Sequence, residues 1–243
     1  MKKILPLILL LLFLFTPNIT FAAPSVPILM YHYVGENPNP RDLGRNYLSI
    51  SPLKLEEQLT YLKNSGFTSI SLDELYGIFN NQITSPNKPI VLTFDDGYID
   101  FYTTAYPILV KYNFKAVSFI PTGLIGTGYY MNWDQIKEIQ RTGLVTFEGH
   151  TLTHPNLTVL GSVAALKELK DGRELLQSQT GYPVNFIAYP YGISDYHVQN
   201  LAKQAGFVGG VGTWLGKTQG PGMNMPRIRV NGLMHHLDFA SRL

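Results

Sequence analysis

Residues 89–98, PIVLTFDDGY, set an apolar run directly against two neighbouring carboxylates and a glycine. The run 89–94 predicts a buried strand, because it is apolar without helical spacing. Successive side chains of a strand point to opposite faces, so Asp95 and Asp96 would not share one role. The pair is therefore either an ordinary Asp-Gly turn or two acids with divided roles.

Outward from this strand, strand-like and helix-like segments alternate along the chain. Ser51-Pro52 opens one predicted helix, and Ser71 with Glu74 forms a capping box for the next. Repeated alternation predicts an α/β fold with a parallel sheet and helices outside. Six or seven such units favour a closed or nearly closed barrel over an open sheet. Further predicted strands cover residues 27–34, 115–120, 144–149 and 184–190.

The first 22 residues, MKKILPLILLLLFLFTPNITFA, have the pattern of a secretory signal peptide. Two lysines precede an apolar centre, and the segment ends in small residues at Ala22. The apolar run is short for a membrane span, so an uncleaved anchor is the alternative. We expect cleavage after Ala22 and one domain, 23–243, without a transmembrane span, secreted or associated with the cell surface.

Charge and cysteine content narrow the classes of partner. The chain has 19 basic and 17 acidic residues, and removing the two signal-peptide lysines leaves 17 of each. A mature chain near neutrality does not favour nucleic acid or an anionic membrane. The sequence contains no cysteine, so it forms no disulfides. We expect a monomer that is stabilised by packing.

Unusual polar residues follow several of the predicted strands. In parallel barrels the carboxyl ends of the strands lie on one face, where active sites are built. Four strands would therefore deliver reactive groups to one rim. These groups are His32 near the end of strand 27–34, Asp95 and Asp96 after 89–94, His150 after 144–149, and Pro190 with Tyr191 at the end of 184–190.

The segment HTLTH, residues 150–154, is the sharpest local signal. His150 and His154 have the spacing of one helical turn, and two imidazoles so placed would converge on one cation. A surface pair without a metal is the alternative. With Asp96 as a third ligand, the set leaves positions for water and substrate, as in a catalytic site. We predict one divalent metal, zinc first and cobalt or nickel next, with Asp95 as general base toward water.

Three segments in this order resemble the motifs of the polysaccharide deacetylases of carbohydrate esterase family 4. They are TFDDG (93–97), HTLTH (150–154) and YPYG (189–192), and the resemblance covers roughly residues 25–230. It implies a distorted (β/α) barrel of about seven strands that removes acetyl groups from sugar polymers with a divalent metal. By position it implies Asp95 as base, Asp96, His150 and His154 as metal ligands, and the Tyr191 backbone N–H, shaped by Pro190, as oxyanion donor.

The chain departs from the family pattern in two places. Ala188 stands where the family commonly has an arginine that orients the base, and Arg227 or Arg229 is our candidate for that support. The general acid, a late histidine in most members, would be His235 or, in a permuted order, His32. That order is found in the poly-β-1,6-N-acetylglucosamine deacetylase branch, which this chain resembles in LMYHYV, FDDGY, NWDQIKE and PRIRV. We therefore favour His32.

These observations predict a secreted, metal-dependent hydrolase that removes N-acetyl groups from an N-acetylglucosamine polymer. Among such polymers we favour the poly-β-1,6-linked polysaccharide of biofilm matrix. The alternatives are a peptidoglycan or chitin oligosaccharide deacetylase and a non-catalytic glycan-binding barrel. A glycoside hydrolase fits poorly, because it needs two carboxylates on opposite sides of the bond. Trp133 would bind substrate through its ring, or would only pack on the core at a helix start.

Overall fold

The computed structural model describes residues 24–243, and the predicted signal peptide lies outside this part of the chain. Parallel strands form its centre and helices surround them. The strands are β1 Ile28–Tyr31, β2 Tyr33–Val34, β3 Ser49–Ile50, β4 Thr68–Ser69, β5 Pro89–Phe94, β6 Ala116–Ile120, β7 Val145–Gly149, β8 Phe186–Ala188, β9 Gly209–Val211 and β10 Ile228–Arg229. The helices are α1 Leu43–Leu48, α2 Pro52–Asn64, α3 Leu72–Phe79, α4 Tyr106–Tyr112, α5 Trp133–Arg141, α6 Ser162–Thr180, α7 Tyr196–Gln204 and α8 His236–Ser241.

Seven of the strands form a curled parallel sheet in the order β10-β1-β5-β6-β7-β8-β9, and β4 pairs with the start of β5. The two ends of the sheet approach each other, because Val211 in β9 forms a parallel bridge with Met225 shortly before β10. The predicted distorted barrel of about seven strands is confirmed. Among residues 24–243, no helix is long and apolar enough to cross a bilayer.

The central strands β1 and β5 are buried on both faces, which explains why they are largely apolar and do not alternate with polar residues. In β1, Ile28 belongs to the apolar cluster inside the barrel and Leu29 to the cluster beneath the helices. The same alternation holds for Val91 and Leu92 in β5, which pair in register with those two residues. Because successive side chains of a strand point to opposite faces, the consecutive apolar residues of one strand pack into two different cores.

The local helix signals act as predicted. Ser51 caps α2, accepting the backbone N–H of Lys54, and a proline occupies the first turn. Both hydrogen bonds of the capping box between Ser71 and Glu74 are present at the start of α3. These caps satisfy N–H groups that the first helical turn leaves without partners. The first residues of α2 and α3 are therefore determined by capping hydrogen bonds between residues close in sequence.

The predicted strand 27–34 is wrong in one respect, because it is interrupted at His32. β1 ends at Tyr31, and the chain then leaves the main sheet so that β2 pairs with β3 instead. The physical reason is that β1 forms backbone hydrogen bonds with β5, whereas β2 forms them with β3. A local sequence pattern does not predict such a change of partner strand. His32 consequently lies at the carboxyl end of β1, at the mouth of the barrel.

Candidate active site

A pocket of about 450 Å³ opens at the carboxyl ends of the strands. The loops after five different strands contribute to it, as expected for a parallel barrel. Seven of the predicted site residues line it: His32, Asp95, Asp96, His150, His154, Tyr191 and Arg229.

A left-handed turn brings the two neighbouring carboxylates into this one pocket. Asp95 continues the strand, its N–H donating to the carbonyl of Tyr31 at 3.0 Å. Asp96 then adopts a φ of 75°, and Gly97 follows with a φ of 71°. A Cβ on Gly97 would lie 2.6 Å from the side chain of Ile120, so the position requires glycine. The segment is both an Asp-Gly turn and a pair of acids in different settings.

The segment HTLTH is not helical, so the predicted reason for its convergence is wrong. His150 follows β7, and Thr151 and His154 have φ values of 68° and 64°. Glu168 of α6 accepts two successive N–H groups of this loop, at 3.1 and 2.8 Å. A Cβ on Gly172 of α6 would lie 2.6 Å from the Thr151 carbonyl carbon, so the helix approaches the loop closely. The two histidines converge because α6 holds the loop in this conformation.

Asp96, His150 and His154 place three donor atoms within 4.8 Å of one another. Oδ1 of Asp96 lies 3.2 Å from Nε2 of His150 and 3.3 Å from Nε2 of His154. Nδ1 of His150 lies 2.6 Å from the carbonyl oxygen of Ala188. A carbonyl only accepts, so Nδ1 carries the proton and Nε2 offers its lone pair to the pocket. Two imidazoles and a carboxylate with this orientation fit a divalent metal of the zinc type.

The ionisation of this group is consistent with a ligand set. Burial opposes the charge on Asp96, but hydrogen bonds from His150 and His154 outweigh it and hold the pKa of Asp96 well below its usual value. Burial also lowers the pKa of His150, but its hydrogen bond to Asp96 and the charges of both aspartates leave that pKa raised. A cation would therefore meet an ionised carboxylate and would compete with a proton at His150.

Arg227 is fully buried and holds the carboxylate of Asp95 through two hydrogen bonds of 2.7 Å. The guanidinium also donates to the Thr93 hydroxyl at 3.0 Å and to the Gly212 carbonyl at 2.7 Å. Burial raises the pKa of Asp95, but the charge and hydrogen bonds of Arg227 outweigh it, and the pKa is lowered. Of the two predicted arginines, Arg227 makes this contact, while Arg229 lines the pocket wall.

The structure brings one of the two candidate general acids to the pocket. His32 lines it, and its Nδ1 is buried without a hydrogen-bond partner. Burial lowers the pKa of His32, although Asp95 and Asp96 partly oppose that effect. His235 is an exposed residue that precedes α8, and it is not among the described residues that line the pocket.

The YPYG turn and Trp133 differ in their relation to the pocket. Pro190 is buried at the start of a short 3₁₀ turn, and Tyr191 adopts a φ of 60° there. The ring of Tyr191 contacts that of His154 edge-on, with centroids 4.9 Å apart. Trp133 is the first residue of α5 and packs against the main apolar core. Trp133 is not among the described residues that line the pocket.

Sequence reasoning did not select Leu48, Tyr98 or Thr213, which also line the pocket. Tyr98 directly follows the Asp-Gly turn, and this position in the sequence could have identified it as a candidate site residue. Thr213 packs against Gly192, which also lines the pocket, although the two lie far apart in sequence. No local pattern pairs such residues, because their contact depends on the neighbouring positions of β8 and β9.

A curled parallel barrel that gathers two histidines, a carboxylate and an arginine-held acid at its mouth defines the class of (β/α) barrels with a candidate metal-binding site at the carboxyl ends of the strands. Within this class, the chain belongs to the polysaccharide deacetylase family, whose model matches residues 82–210. The resemblance carried by the three sequence motifs is thereby confirmed.

Individual relatives agree with this assignment. The poly-β-1,6-N-acetyl-D-glucosamine N-deacetylase of Staphylococcus aureus (strain MRSA252) is 32% identical over 176 residues, 67% of this chain and 60% of that protein. The Streptococcus pyogenes deacetylase PplD, solved in complex with acetate, is 31% identical with a TM-score of 0.84, covering 90% of this chain and 98% of that one. BC0361, a polysaccharide deacetylase from Bacillus cereus, is 29% identical with a TM-score of 0.81, covering 90% and 69%. The match spans less than two thirds of the length of the curated relatives.

Proposed function

We propose that this chain is a secreted, metal-dependent N-deacetylase of an N-acetylglucosamine polymer, and we favour the poly-β-1,6-linked polysaccharide of biofilm matrix. The observation that carries the proposal is the placement of the donors of Asp96, His150 and His154 in one pocket with the carboxylate of Asp95, held by Arg227. The relative from Staphylococcus aureus, a poly-β-1,6-N-acetyl-D-glucosamine N-deacetylase, supports the choice of polymer.

Asp96, His150 and His154 would hold the divalent cation, with zinc as first choice and cobalt or nickel as alternatives. When bound, such an ion supplies Lewis-acid polarisation of an acyl carbonyl and lowers the pKa of water. The Ala188 carbonyl keeps His150 in the tautomer that binds through Nε2. These three residues would thus hold the cation and would not transfer protons themselves.

Asp95 accepts the proton of the attacking water. Arg227 uses one lone pair on each carboxylate oxygen, and each oxygen retains another that faces no guanidinium. The lowered pKa keeps Asp95 ionised near neutral pH, and the two hydrogen bonds fix its orientation. A base that is already oriented avoids the entropy cost of finding its position during the reaction.

His32 in its protonated form delivers a proton to the leaving nitrogen when the bond between the acetyl carbon and nitrogen breaks. Burial lowers the pKa of His32 and disfavours this form, whereas the charges of both pocket aspartates favour it. The place of His32 in the pocket with Asp95 supports this role over His235, which is exposed elsewhere. The backbone N–H of Tyr191 donates to the oxygen of the tetrahedral intermediate, in a turn shaped by the buried Pro190. The products are acetate and a free amine on the sugar.

Export is the second half of the proposal and rests on the signal-peptide pattern of residues 1–22. An exported deacetylase would meet its polymer outside the cell. Each deacetylation replaces a neutral acetamide with an amine that is protonated near neutral pH. The polymer would become cationic and would adhere to anionic cell surfaces.

The test is acetate release by the purified chain without residues 1–22, with added Zn²⁺, from β-1,6-linked and β-1,4-linked N-acetylglucosamine pentamers. We expect release from the β-1,6 pentamer at the higher kcat/KM, and about a thousandfold less from Asp95→Asn. Release from the β-1,4 pentamer alone would replace the proposed substrate with chitin or peptidoglycan. Binding of either pentamer without any release would support the non-catalytic glycan-binding barrel.

A further inference from the structure

Glu148 is a buried acid near the carboxyl end of β7, two residues before His150. It is 2% exposed, and it pairs in register with Phe119 of β6, which belongs to the apolar cluster inside the barrel. Residues that pair in register share a face of the sheet, so Glu148 points to the barrel interior. A buried carboxyl group costs free energy unless it is hydrogen-bonded. Its hydrogen-bond partners therefore indicate what it does.

The partners of Glu148 are backbone groups at the start of β8. Its Oε2 accepts the N–H groups of Asn185 and Phe186, both at 2.8 Å. The side chain of Asn185 in turn donates to Oδ1 of Asp73, in the first turn of α3, at 2.9 Å. The amino end of β8 is therefore held by side chains from β7 and from α3.

Backbone pairing between β7 and β8 is short. β6 and β7 pair in register along the whole length of both strands. Among the described residues, β7 and β8 pair in register at Gly149 and Ile187 alone. So short a parallel ladder supplies few backbone hydrogen bonds. The side chains of Glu148 and His150 add contacts from β7 to β8 on either side of this position.

The second of these contacts sets the orientation of His150. Its Nδ1 lies 2.6 Å from the carbonyl oxygen of Ala188, which fixes the tautomer that offers Nε2 to a cation. Ala188 is two residues after Phe186, so a shift of β8 along β7 would displace the Ala188 carbonyl and the Phe186 N–H together. The hydrogen bonds of Glu148 to β8 thus limit where the acceptor for His150 can lie.

From these contacts we propose that Glu148 is a positioning residue of the candidate metal site. Its carboxylate fixes β8 relative to β7 and so holds the Ala188 carbonyl at the place where it orients His150 toward a divalent cation. The inference rests on the proposed function. It adds that zinc affinity depends on a side chain that is neither one of the three candidate ligands nor among the described residues that line the pocket.

The test measures the dissociation constant of Zn²⁺ for the metal-free protein by competition with a chromophoric chelator, without substrate. We expect Glu148→Leu to bind Zn²⁺ about tenfold to a hundredfold more weakly than wild type, as on loss of an outer partner of a metal-binding histidine. Glu148→Gln should stay within about threefold, because its amide oxygen can accept both N–H groups.

Gln58→Leu is the matched control, because it also removes a buried polar group. Gln58 of α2 is 3% exposed, and its Oε1 accepts the Tyr31 hydroxyl at 3.0 Å in the core beneath the helices. We expect this variant to unfold at a lower temperature with the Zn²⁺ dissociation constant unchanged. Glu148→Asp serves if Glu148→Leu does not fold. Its carboxylate is one methylene too short to reach both N–H groups, so we expect it to lose Zn²⁺ affinity as well.

Two results would overturn the positioning role. One is a Zn²⁺ affinity within about twofold of wild type in whichever of Glu148→Leu and Glu148→Asp is folded, and the other is an equal loss in Glu148→Gln and Glu148→Leu. Wild-type protein that binds no Zn²⁺ would overturn the proposed function, and this inference with it. Zinc binding without acetate release from any N-acetylglucosamine oligomer would overturn the proposed function and leave the role of Glu148 intact.

Discussion

The two ends of the barrel both contain cavities, and the larger one is not the candidate site. The cavity at the amino ends of the strands measures about 600 Å³, against about 450 Å³ at the carboxyl ends. The amino-end cavity is lined by an ion pair between Lys115 and Glu74, both of which remain partly open to solvent. At the carboxyl end, Asp95 and Arg227 form an ion pair that is almost entirely buried. The candidate site is therefore distinguished from the amino-end cavity by its buried ion pair and not by its volume.

Left-handed backbone occurs at both ends of the barrel and does not separate them by itself, because Lys88 and Asn113 adopt it at the amino end. Asp96, His154 and Tyr191 adopt it at the carboxyl end, where the buried ion pair also lies. Such conformations cost free energy and persist only where the surrounding structure enforces them. The chain therefore holds unfavourable backbone and buried charge at the same place. This coincidence is typical of a site selected for chemistry instead of stability.

The largest expected difference between the two ends is in catalysis. Asp95→Asn keeps the shape of the side chain but removes the proposed base, so we expect kcat for acetate release to fall between about a hundredfold and ten-thousandfold. Glu74→Gln at the amino end is the matched change and should leave kcat within about twofold. Both variants are assayed as folded proteins, checked by circular dichroism. Equal losses in the two variants would show that the ion pairs act only through stability.

The next difference is in the free energy of unfolding. Arg227→Met leaves the carboxylate of Asp95 buried without its partner, and we expect a loss of about 3–5 kcal/mol. Lys115→Met removes a partly exposed partner of Glu74 and should cost less than about 1 kcal/mol. Urea unfolding of both variants at pH 7 measures the contrast. Similar losses would contradict the distinction between buried and exposed pairs.

A smaller difference is expected in the pH dependence of stability. Burial raises the pKa of Asp100 to about 6, while its carboxylate accepts the Val34 N–H at 3.1 Å. The folded state thus binds this proton more tightly than the unfolded state, whose pKa is about 3.9. The contribution to stability is full below pH about 4 and is lost as the pH rises through 6. Asp100→Asn should therefore become more stable than wild type by about 2 kcal/mol between pH 4 and 7.

Glu74 at the amino end should show the opposite sign. Burial raises its pKa, but hydrogen bonds from Lys115 and from the Ser71 N–H outweigh this effect, and the pKa is lowered. Its stabilisation is present above the usual carboxyl pKa and is lost as the pH falls through the lowered value. Urea unfolding of Asp100→Asn, Glu74→Gln and wild type between pH 4 and 7 separates the two behaviours. A constant difference between Asp100→Asn and wild type over that range would exclude a buried, titrating Asp100.

The sequence predicted most of the fold, because its signals are local. Strand 89–94 has the predicted bounds, and the cap of α3 lies at Ser71 as its capping box indicates. Long-range contacts account for the errors. β1 ends at Tyr31, before His32, because Tyr33 and Val34 pair with β3. HTLTH is a loop because α6 holds it.

The same distinction applies to the site. Asp95, Asp96 and the two histidines of HTLTH carry a sequence signal, because each lies within five residues of the end of a predicted strand. No sequence signal decided between Arg227 and Arg229. Arg227 directly precedes the short strand β10 and Arg229 is its second residue, and only the packed barrel directs Arg227 to Asp95. Aromatic contacts between loops, such as the stacking of Tyr33 on Tyr98, could not be predicted from the sequence either.

The most direct test is whether acetate release depends on a cation held by Asp96, His150 and His154. Wild-type protein is treated with chelator, dialysed, and titrated with Zn²⁺ while bound metal and acetate release from the β-1,6 pentamer are measured together. We predict that release is lost on chelation and returns in full at one equivalent of metal per chain, whereas His150→Ala neither binds one equivalent nor recovers. Undiminished release from metal-free protein, or full recovery of His150→Ala, would contradict this assignment.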